Sequence, residues 1–117
     1  MTKATIYHNN RCSKSRATLQ ILNDNNIDVQ EIYYLETPPT EEELDKIVTM
    51  LNIEPIDLIR TGEKTFKALD LKKTDIKIKS EWLKIMTSNP ILIERPIVII
   101  NGKAVIGRPP EKVLTIV

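Results

Sequence analysis

The segment that most constrains the fold is an apolar run near the carboxyl end of the chain, interrupted by Asn101-Gly102. Isoleucine and valine dominate residues 96–100 and 103–106 on its two sides. Because Asn-Gly suits a two-residue type I′ turn, these residues predict a β-hairpin of two antiparallel strands. Gly107-Arg108-Pro109-Pro110 then breaks the second strand and opens a last helix with proline in its first turn. The residues of that helix expected to face inward are Val113, Leu114 and Val117.

The amino-terminal residues predict a βαβ unit. Residues 4–7 form a short apolar run, residues 13–25 have helical periodicity, and residues 29–35 are rich in strand-forming side chains. A right-handed crossover would make the two strands parallel, and Pro38-Pro39 would end the second one. The helix residues predicted to face inward are Leu19, Ile21 and Leu22.

The middle of the chain, about residues 40–89, predicts a helical insertion. Its clearest helix spans residues 40–52, because Thr40 and Glu43 form a capping box before a stripe of apolar residues at helical spacing. We interpret that stripe as core packing and not as a functional site.

Shorter helices are predicted in the rest of this insertion. One starts at Pro55 and runs through Arg60, and another is capped by Ser80 and is expected to bury Trp82 in the core. Residues 74–79 alternate as a strand would, and the pattern leaves their structure open. A further helical turn is predicted around three apolar residues, Phe66, Leu69 and Leu71.

The predicted order of elements is that of a thioredoxin-like α/β fold. It would be a four-stranded mixed sheet with helices on its faces, in a single domain over residues 1–117 with the helical insertion before the hairpin. Such sheets place their chemistry at the carboxyl ends of the strands, and Cys12 follows the first strand at such an end.

The only cysteine and the only histidine of the chain, Cys12 and His8, lie four residues apart. Cys12 falls where the strand gives way to the helix, so unpaired N–H groups and the helix dipole favour its thiolate. Arg11, Lys14 and Arg16 add positive charge. Such surroundings commonly lower a thiol pKa from about 8.5 to roughly 3.5–7.5. We therefore interpret Cys12 as a reactive thiol.

A lone cysteine is more often an inert, buried, small hydrophobe. The neighbours of Cys12 argue against that interpretation, because Asn9, Asn10, Arg11 and Lys14 would hardly line an apolar slot. For His8 two interpretations stay open: it biases the charge near Cys12, or it satisfies a local hydrogen bond.

Charge and cysteine content exclude several classes of function. The chain has 17 Lys and Arg against 16 Asp and Glu, a formal net charge of +1, so we expect no nucleic acid and no membrane as partner. One cysteine excludes an internal disulfide, and with one histidine it cannot supply the usual ligands of a zinc site, so no metal is predicted. Since no apolar run approaches roughly 18 residues, we expect a cytoplasmic protein, whose thiol would be reduced. We also expect a monomer.

These features resemble the glutaredoxin-coupled arsenate reductase family, and the resemblance runs from end to end. No single segment is specific, but the set is. The segments that carry it are Ile6-Tyr7-His8-Asn9 with Cys12 and Ser15-Arg16, Tyr33-Tyr34-Leu35-Glu36-Thr37-Pro38-Pro39, Leu58-Ile59-Arg60, residues 90–98, and Gly107-Arg108-Pro109.

The resemblance implies roles for individual residues. Cys12 corresponds to the catalytic cysteine, and His8 and Ser15 match residues thought to tune the thiol. The Arg95-Pro96 bond corresponds to the cis-proline of thioredoxin-like folds. The residues that correspond to the oxyanion-binding arginines are Arg60, Arg95 and Arg108.

Two of these arginines have support from the predicted hairpin as well. Arg95 and Arg108 each flank one strand through a proline, so antiparallel pairing brings them together and, in this fold, near the Cys12 loop. Arginine suits a tetrahedral oxyanion because its rigid fork makes paired, charge-assisted hydrogen bonds. Arg60 rests mainly on the resemblance.

The loop differs from that of the characterised plasmid-type reductases. Asn10, Arg11 and Ser13 stand where we associate Pro, Ala and Gly with those enzymes, and Val117 ends the chain where they continue into an extension. The chain therefore resembles a shorter branch of the family.

The implied reaction is arsenate reduction, in which the Cys12 thiolate attacks arsenate held by the three arginines. Because the chain has one cysteine, the second thiol must come from outside. The resemblance implies glutathione as co-substrate and glutaredoxin as partner, with no bound cofactor.

Three alternative functions differ in the residues that they need. A redox-responsive regulator that binds RNA polymerase would use a Cys-x-x-Cys pair, but Asn9 and Ser15 occupy the positions where Cys12 would need its partner. A cysteine phosphatase needs a wider spacing than that between Cys12 and Arg16. A glutathione-dependent thiol reductase or transferase that acts on another oxyanion or adduct stays open.

Overall fold

The predicted hairpin is present and forms one side of a mixed sheet. The computed structural model describes residues 2–117. Strand β1 (Lys3–His8) pairs in parallel with β2 (Asp28–Tyr33) and antiparallel with β3 (Ile97–Ile100), which pairs antiparallel with β4 (Lys103–Ile106). Within the described residues the sheet has four strands in the order β2-β1-β3-β4, which confirms the thioredoxin-like α/β prediction.

The turn of the hairpin has the predicted chemistry. Asn101 and Gly102 have φ angles of 51° and 76°, and a type I′ turn requires positive φ at both positions. The turn therefore lies at the end of the sheet where β1 begins, since Ile100 pairs with Ala4.

The chain forms two compact units. The first contains the residues up to Thr37 together with Arg95–Val117, and the second is Pro38–Glu94. All strands of the described residues belong to the first unit. The second unit contains α2 (Glu41–Leu51), α3 (Lys64–Ala68) and α4 (Lys79–Ser88), with short 3₁₀ helices at Pro55–Leu58 and Pro90–Leu92.

The first unit has an aliphatic core under α1 (Ser13–Asp24), the helix that joins β1 to β2. Leu22 is fully buried, and Leu19 and Ile21 pack against the core from the same helix, as predicted. Full burial of a side chain such as that of Leu22 contributes about 1.5–3 kcal/mol. The buried members of the core are Ala4, Ile6, Leu22, Ile27, Val98, Ile100 and Val113.

The second unit confirms the two strongest helix predictions. Thr40 Oγ1 accepts a hydrogen bond from Glu43 N at 3.1 Å, and Glu43 Oε1 accepts one from Thr40 N at 3.0 Å, so the capping box is complete. Trp82 lies in α4 and is buried, as predicted for a core residue.

The last helix differs from its prediction. It is a 3₁₀ helix, Pro110–Thr115, in which side chains three residues apart share a face. Val113 and Ile116 consequently face the core, while Leu114 and Val117 are 49% and 54% exposed. The prediction that Leu114 and Val117 point inward is wrong because it assumed α-helical spacing.

Three boundaries in the chain also differ. Strand β2 ends at Tyr33 because Glu36 N and Thr37 N both bond the Tyr33 carbonyl in a turn. The short helix from Pro55 ends at Leu58 because Arg60 N bonds the Leu92 carbonyl at 2.7 Å instead. Helix α4 begins at Lys79, so Ser80 is not its cap.

Candidate active site

Cys12 sits between β1 and α1, at the N-cap position of the helix. Its N–H donates to the Asn9 carbonyl at 3.0 Å, and its own carbonyl accepts from Arg16 N at 3.0 Å. The Arg16 guanidinium donates to the Asn10 carbonyl at 2.9 Å, and Arg11 N donates to Asn9 Oδ1 at 3.0 Å. The loop is therefore held in one conformation by its own backbone and side chains.

The surroundings of Cys12 favour its thiolate. Burial alone would raise the pKa of the half-buried thiol, and it is the largest single effect. The Ser15 N–H, the Arg95 guanidinium and the Lys14 N–H donate hydrogen bonds that, with the positive charge of Arg95, together lower the Cys12 pKa below its usual value. The predicted helix-terminus effect is present, and Arg95 is the side chain that adds to it.

His8 lies beneath this loop and bonds locally. Its ring is buried, with Nδ1 2.7 Å from the Oγ of the fully buried Ser15, which also accepts a hydrogen bond from Asn9 N at 3.1 Å. Burial lowers the His8 pKa; nearby Glu31 raises it by less, and Arg16 lowers it further. His8 therefore makes a local hydrogen bond, which is one of the two roles that the sequence left open for it.

Arg95 and Arg108 meet at the end of the hairpin. The peptide bonds Arg95-Pro96 and Arg108-Pro109 are both cis, the first as expected from the resemblance and the second unforeseen. Arg108 Nη1 donates to the Arg95 carbonyl at 3.4 Å, and Gly107 N donates to the Pro96 carbonyl at 2.9 Å. Cys12, His8, Ser15, Arg95 and Arg108 are all in the first unit.

Arg60 belongs to the second unit. Its Nε lies 3.2 Å from Glu63 Oε1, in an ion pair whose side chains are 23% and 26% exposed. The ion pair follows from the turn after Ile59, in which Glu63 N bonds the Arg60 carbonyl. A carboxylate therefore offsets the charge of this arginine.

The sequence reasoning missed the contribution of Gly107. A Cβ atom built on Gly107 would lie 2.5 Å from Thr18 Oγ1 and 2.9 Å from Pro96 Cγ, so α1, the cis-proline and the chain before Arg108 meet closely here. A glycine between a strand and Arg-Pro-Pro is the signal that could have indicated this close approach. From the sequence alone, Gly107 indicates only the end of a strand.

Two further classes of site have no candidate among residues 2–117. No group of three or more His, Cys, Asp or Glu side chains is placed to hold a metal ion there. No helix of that part of the chain is both long and apolar enough to cross a membrane.

Comparison with known proteins gives consistent matches. The model of the ArsC family matches residues 7–116. The chain is 44% identical to the uncharacterized protein YfgD of Escherichia coli, over 100% of this chain and 99% of that one. It is 42% identical to an arsenate reductase of Haemophilus influenzae, over 95% and 96% of the two chains. The solved structure of an arsenate reductase from Vibrio cholerae superposes with a TM-score of 0.94 and 43% identity, covering 99% and 98% of the two chains.

Proposed function

The chain belongs to the ArsC family, and from that premise we propose that it reduces arsenate to arsenite by thiol chemistry at Cys12. The observation that carries the proposal is the thiolate-favouring hydrogen bond from Arg95 to Cys12, beside a second arginine. Relatives at 38% and 42% identity over nearly their full length carry the name arsenate reductase.

In the first step the Cys12 thiolate attacks arsenic and forms a sulfur–arsenic bond. One arsenate oxygen leaves as hydroxide and is protonated to water. Arg95 and Arg108 support this step because fixed guanidinium groups stabilise the charge on a tetrahedral oxyanion without reorganising. The lowered pKa of Cys12 supports it as well, since the thiolate is the nucleophilic form.

The second step needs a thiol from another molecule. Cys12 is the only cysteine of the chain, so no internal disulfide can form. Glutathione would attack the Cys12 sulfur, the electron pair of the sulfur–arsenic bond would stay on arsenic, and arsenite would leave from a Cys12–glutathione disulfide. Glutaredoxin would then take the glutathione by thiol–disulfide exchange and regenerate Cys12. These co-substrates require a reducing compartment, for which we expect the cytoplasm.

His8 and Ser15 are positioning residues in this proposal. Their buried hydrogen bond, with the bond from Asn9 N to Ser15 Oγ, supports the first turn of α1, from which the Ser15 N–H reaches the sulfur. Arg60 is a further oxyanion-binding residue on the resemblance alone, and its role is tested separately.

A coupled assay tests the proposal directly. Arsenate, glutathione and glutaredoxin are added to the unmodified protein, to Cys12→Ser, and to Ser13→Ala as a control that keeps the thiol. We expect arsenite from the unmodified protein and the control, and none above background from Cys12→Ser.

The absence of arsenite from the unmodified protein would refute arsenate reduction. The same assay with other oxyanions and with glutathionylated substrates addresses the alternative of a glutathione-dependent reductase or transferase. Activity on those substrates, without activity on arsenate, would favour that alternative.

A further inference from the structure

A cavity of about 290 Å³ opens beside the Cys12 loop, and no step proposed above has used it. One wall is the end of β1 and the loop residues up to Arg11, and the other is formed by Tyr33 at the end of β2 and by Leu35 and Glu36 after it. Its volume lies just below the range of roughly 300–1,000 Å³ that small-molecule sites occupy. The cavity is therefore suited to a small ligand.

The topology of the sheet places this cavity where ligands commonly bind. β1 and β2 are the parallel pair of the described residues, with His8 opposite Tyr33, so both strands deliver their carboxyl ends to one edge. Open α/β sheets bind ligands just outside such ends. Cys12 does not line the cavity, but it directly follows Arg11, which does, so a ligand in the cavity lies beside the segment that carries the thiol.

The walls carry charges of both signs. Arg11 comes from the Cys12 loop and Glu36 from the turn after β2, and both are exposed. Among residues 2–117, neither Arg11 nor Glu36 forms a salt bridge. Tyr33 and Leu35, each 40% exposed, supply apolar surface to the same wall. A ligand with a carboxylate, an amine and a short uncharged middle matches this distribution.

We propose that this cavity binds the external thiol as a small zwitterionic peptide thiol of the glutathione class, with Arg11 on a carboxylate and Glu36 on the amine. The inference rests on the proposed function, in which such a thiol must reach the sulfur of Cys12. It also gives a chemical role to Arg11, one of the loop positions that differ from the plasmid-type reductases.

A binding experiment without chemistry tests the site. The ¹⁵N-labelled protein is titrated with S-methylglutathione, which has the charges of glutathione but no thiol. We expect amide shifts confined to residues 8–12 and 33–37. The absence of shifts in these residues at millimolar ligand, or shifts confined to other residues, would overturn the proposal.

Charge variants then test the two contacts. Arg11→Gln and Glu36→Gln are each expected to weaken S-methylglutathione binding by about two- to five-fold, the range for exposed ion pairs. Lys103→Gln and Asp28→Asn are matched controls, because both residues begin strands at the opposite end of the sheet. Equal affinities of all four variants would overturn the assignment of Arg11 and Glu36.

A thiol-exchange rate separates this inference from the proposed function. The Cys12 thiolate attacks oxidised glutathione, forms the mixed disulfide and releases one glutathione thiolate, and no arsenate is involved. We expect Arg11→Gln and Glu36→Gln to slow this reaction by about two- to five-fold but to leave the reaction with neutral hydroxyethyl disulfide unchanged. That result, together with no arsenite in the coupled assay, would support the site and refute arsenate reduction. Equal slowing with both disulfides would overturn the site.

Discussion

Two arginines, one in each compact unit, are held in opposite electrostatic settings. Arg95 donates a hydrogen bond to the Cys12 thiol, and its charge lowers the thiol pKa. Arg60 lies 3.2 Å from the Glu63 carboxylate, which offsets its charge. The family resemblance assigns both to the same role. The difference shows that the immediate partners of an arginine decide whether its charge acts on the thiol or is offset by a carboxylate.

The backbone near these arginines differs in the same way. Gly107, beside Arg108, has no room for a Cβ atom, whereas a Cβ atom on Gly62, two residues after Arg60, would meet nothing within 4 Å. The backbone beside Arg108 is therefore close-packed, whereas the backbone at Gly62 is open. Close packing fixes a guanidinium in one orientation, which a hydrogen bond to sulfur requires.

The largest effect is expected for Arg95→Gln. It removes a charge-assisted hydrogen bond to the thiolate, worth about 1.5–3 kcal/mol, so kcat/KM for arsenate should fall by roughly 10- to 150-fold and the Cys12 pKa should rise. The pKa is measured from the pH dependence of alkylation by iodoacetamide. Arg60→Gln is the matched control, with an unchanged thiol pKa. Equal rises of the Cys12 pKa in Arg95→Gln and Arg60→Gln would mean that the two arginines do not differ in their effect on the thiol.

The next largest effect is expected for Gly107→Ala. The new methyl group would press on Thr18 Oγ1 and Pro96 Cγ, and such overpacking costs about 1–3 kcal/mol of the free energy of unfolding. Gly62→Ala is the control and should change stability by less than about 0.5 kcal/mol. Urea unfolding measures both.

A double variant locates the cause of the Gly107→Ala effect. Thr18→Ala removes the hydroxyl and methyl groups that the new Cβ atom would meet, so it should restore part of the stability in the Gly107→Ala background. If Thr18→Ala restores no stability, Thr18 is not the obstacle, and the destabilisation by Gly107→Ala has another origin.

The sequence predicted the fold well because its signals are local. The Asn101-Gly102 turn, the Thr40–Glu43 capping box and the helical spacing of residues 13–25 each depend on residues within a few positions of one another. The last helix was misread because periodicity over eight residues does not distinguish α from 3₁₀ spacing, and only the burial of Val113 with Ile116 does.

The site was less accessible to sequence reasoning because it depends on contacts between distant residues. Cys12 and its helix-terminus position could be inferred, but the hydrogen bond from Arg95 joins residues 83 positions apart. The close approach of Thr18 to Gly107 likewise joins residues far apart in the sequence and leaves no periodic pattern. Such contacts are set by tertiary packing.

A smaller effect is expected from the Arg60 ion pair. If Arg60 binds arsenate as proposed, Arg60→Gln should raise KM for arsenate by about two- to five-fold, and Glu63→Gln should lower it by a similar factor because the offsetting carboxylate is gone. Glu41→Gln, an exposed charge change in the same unit, is the control. An unchanged KM in both Arg60→Gln and Glu63→Gln would mean that Arg60 does not bind arsenate. Anion binding would then be assigned to Arg95 and Arg108 alone.

The smallest effect is expected from the buried His8, which lies in the same compact unit as the Cys12 thiol. Burial lowers the His8 pKa, so on acidification below about 6.5 the unfolded chain takes up the proton before the folded chain does, and the free energy of unfolding falls. His8→Gln removes the only imidazole of the chain, so its loss of stability between pH 7.5 and pH 5.5, measured by urea unfolding, should be smaller than that of the unmodified protein. Identical losses would show that His8 is protonated equally in both states. The hydrogen bond to Ser15 would then not depend on a neutral ring.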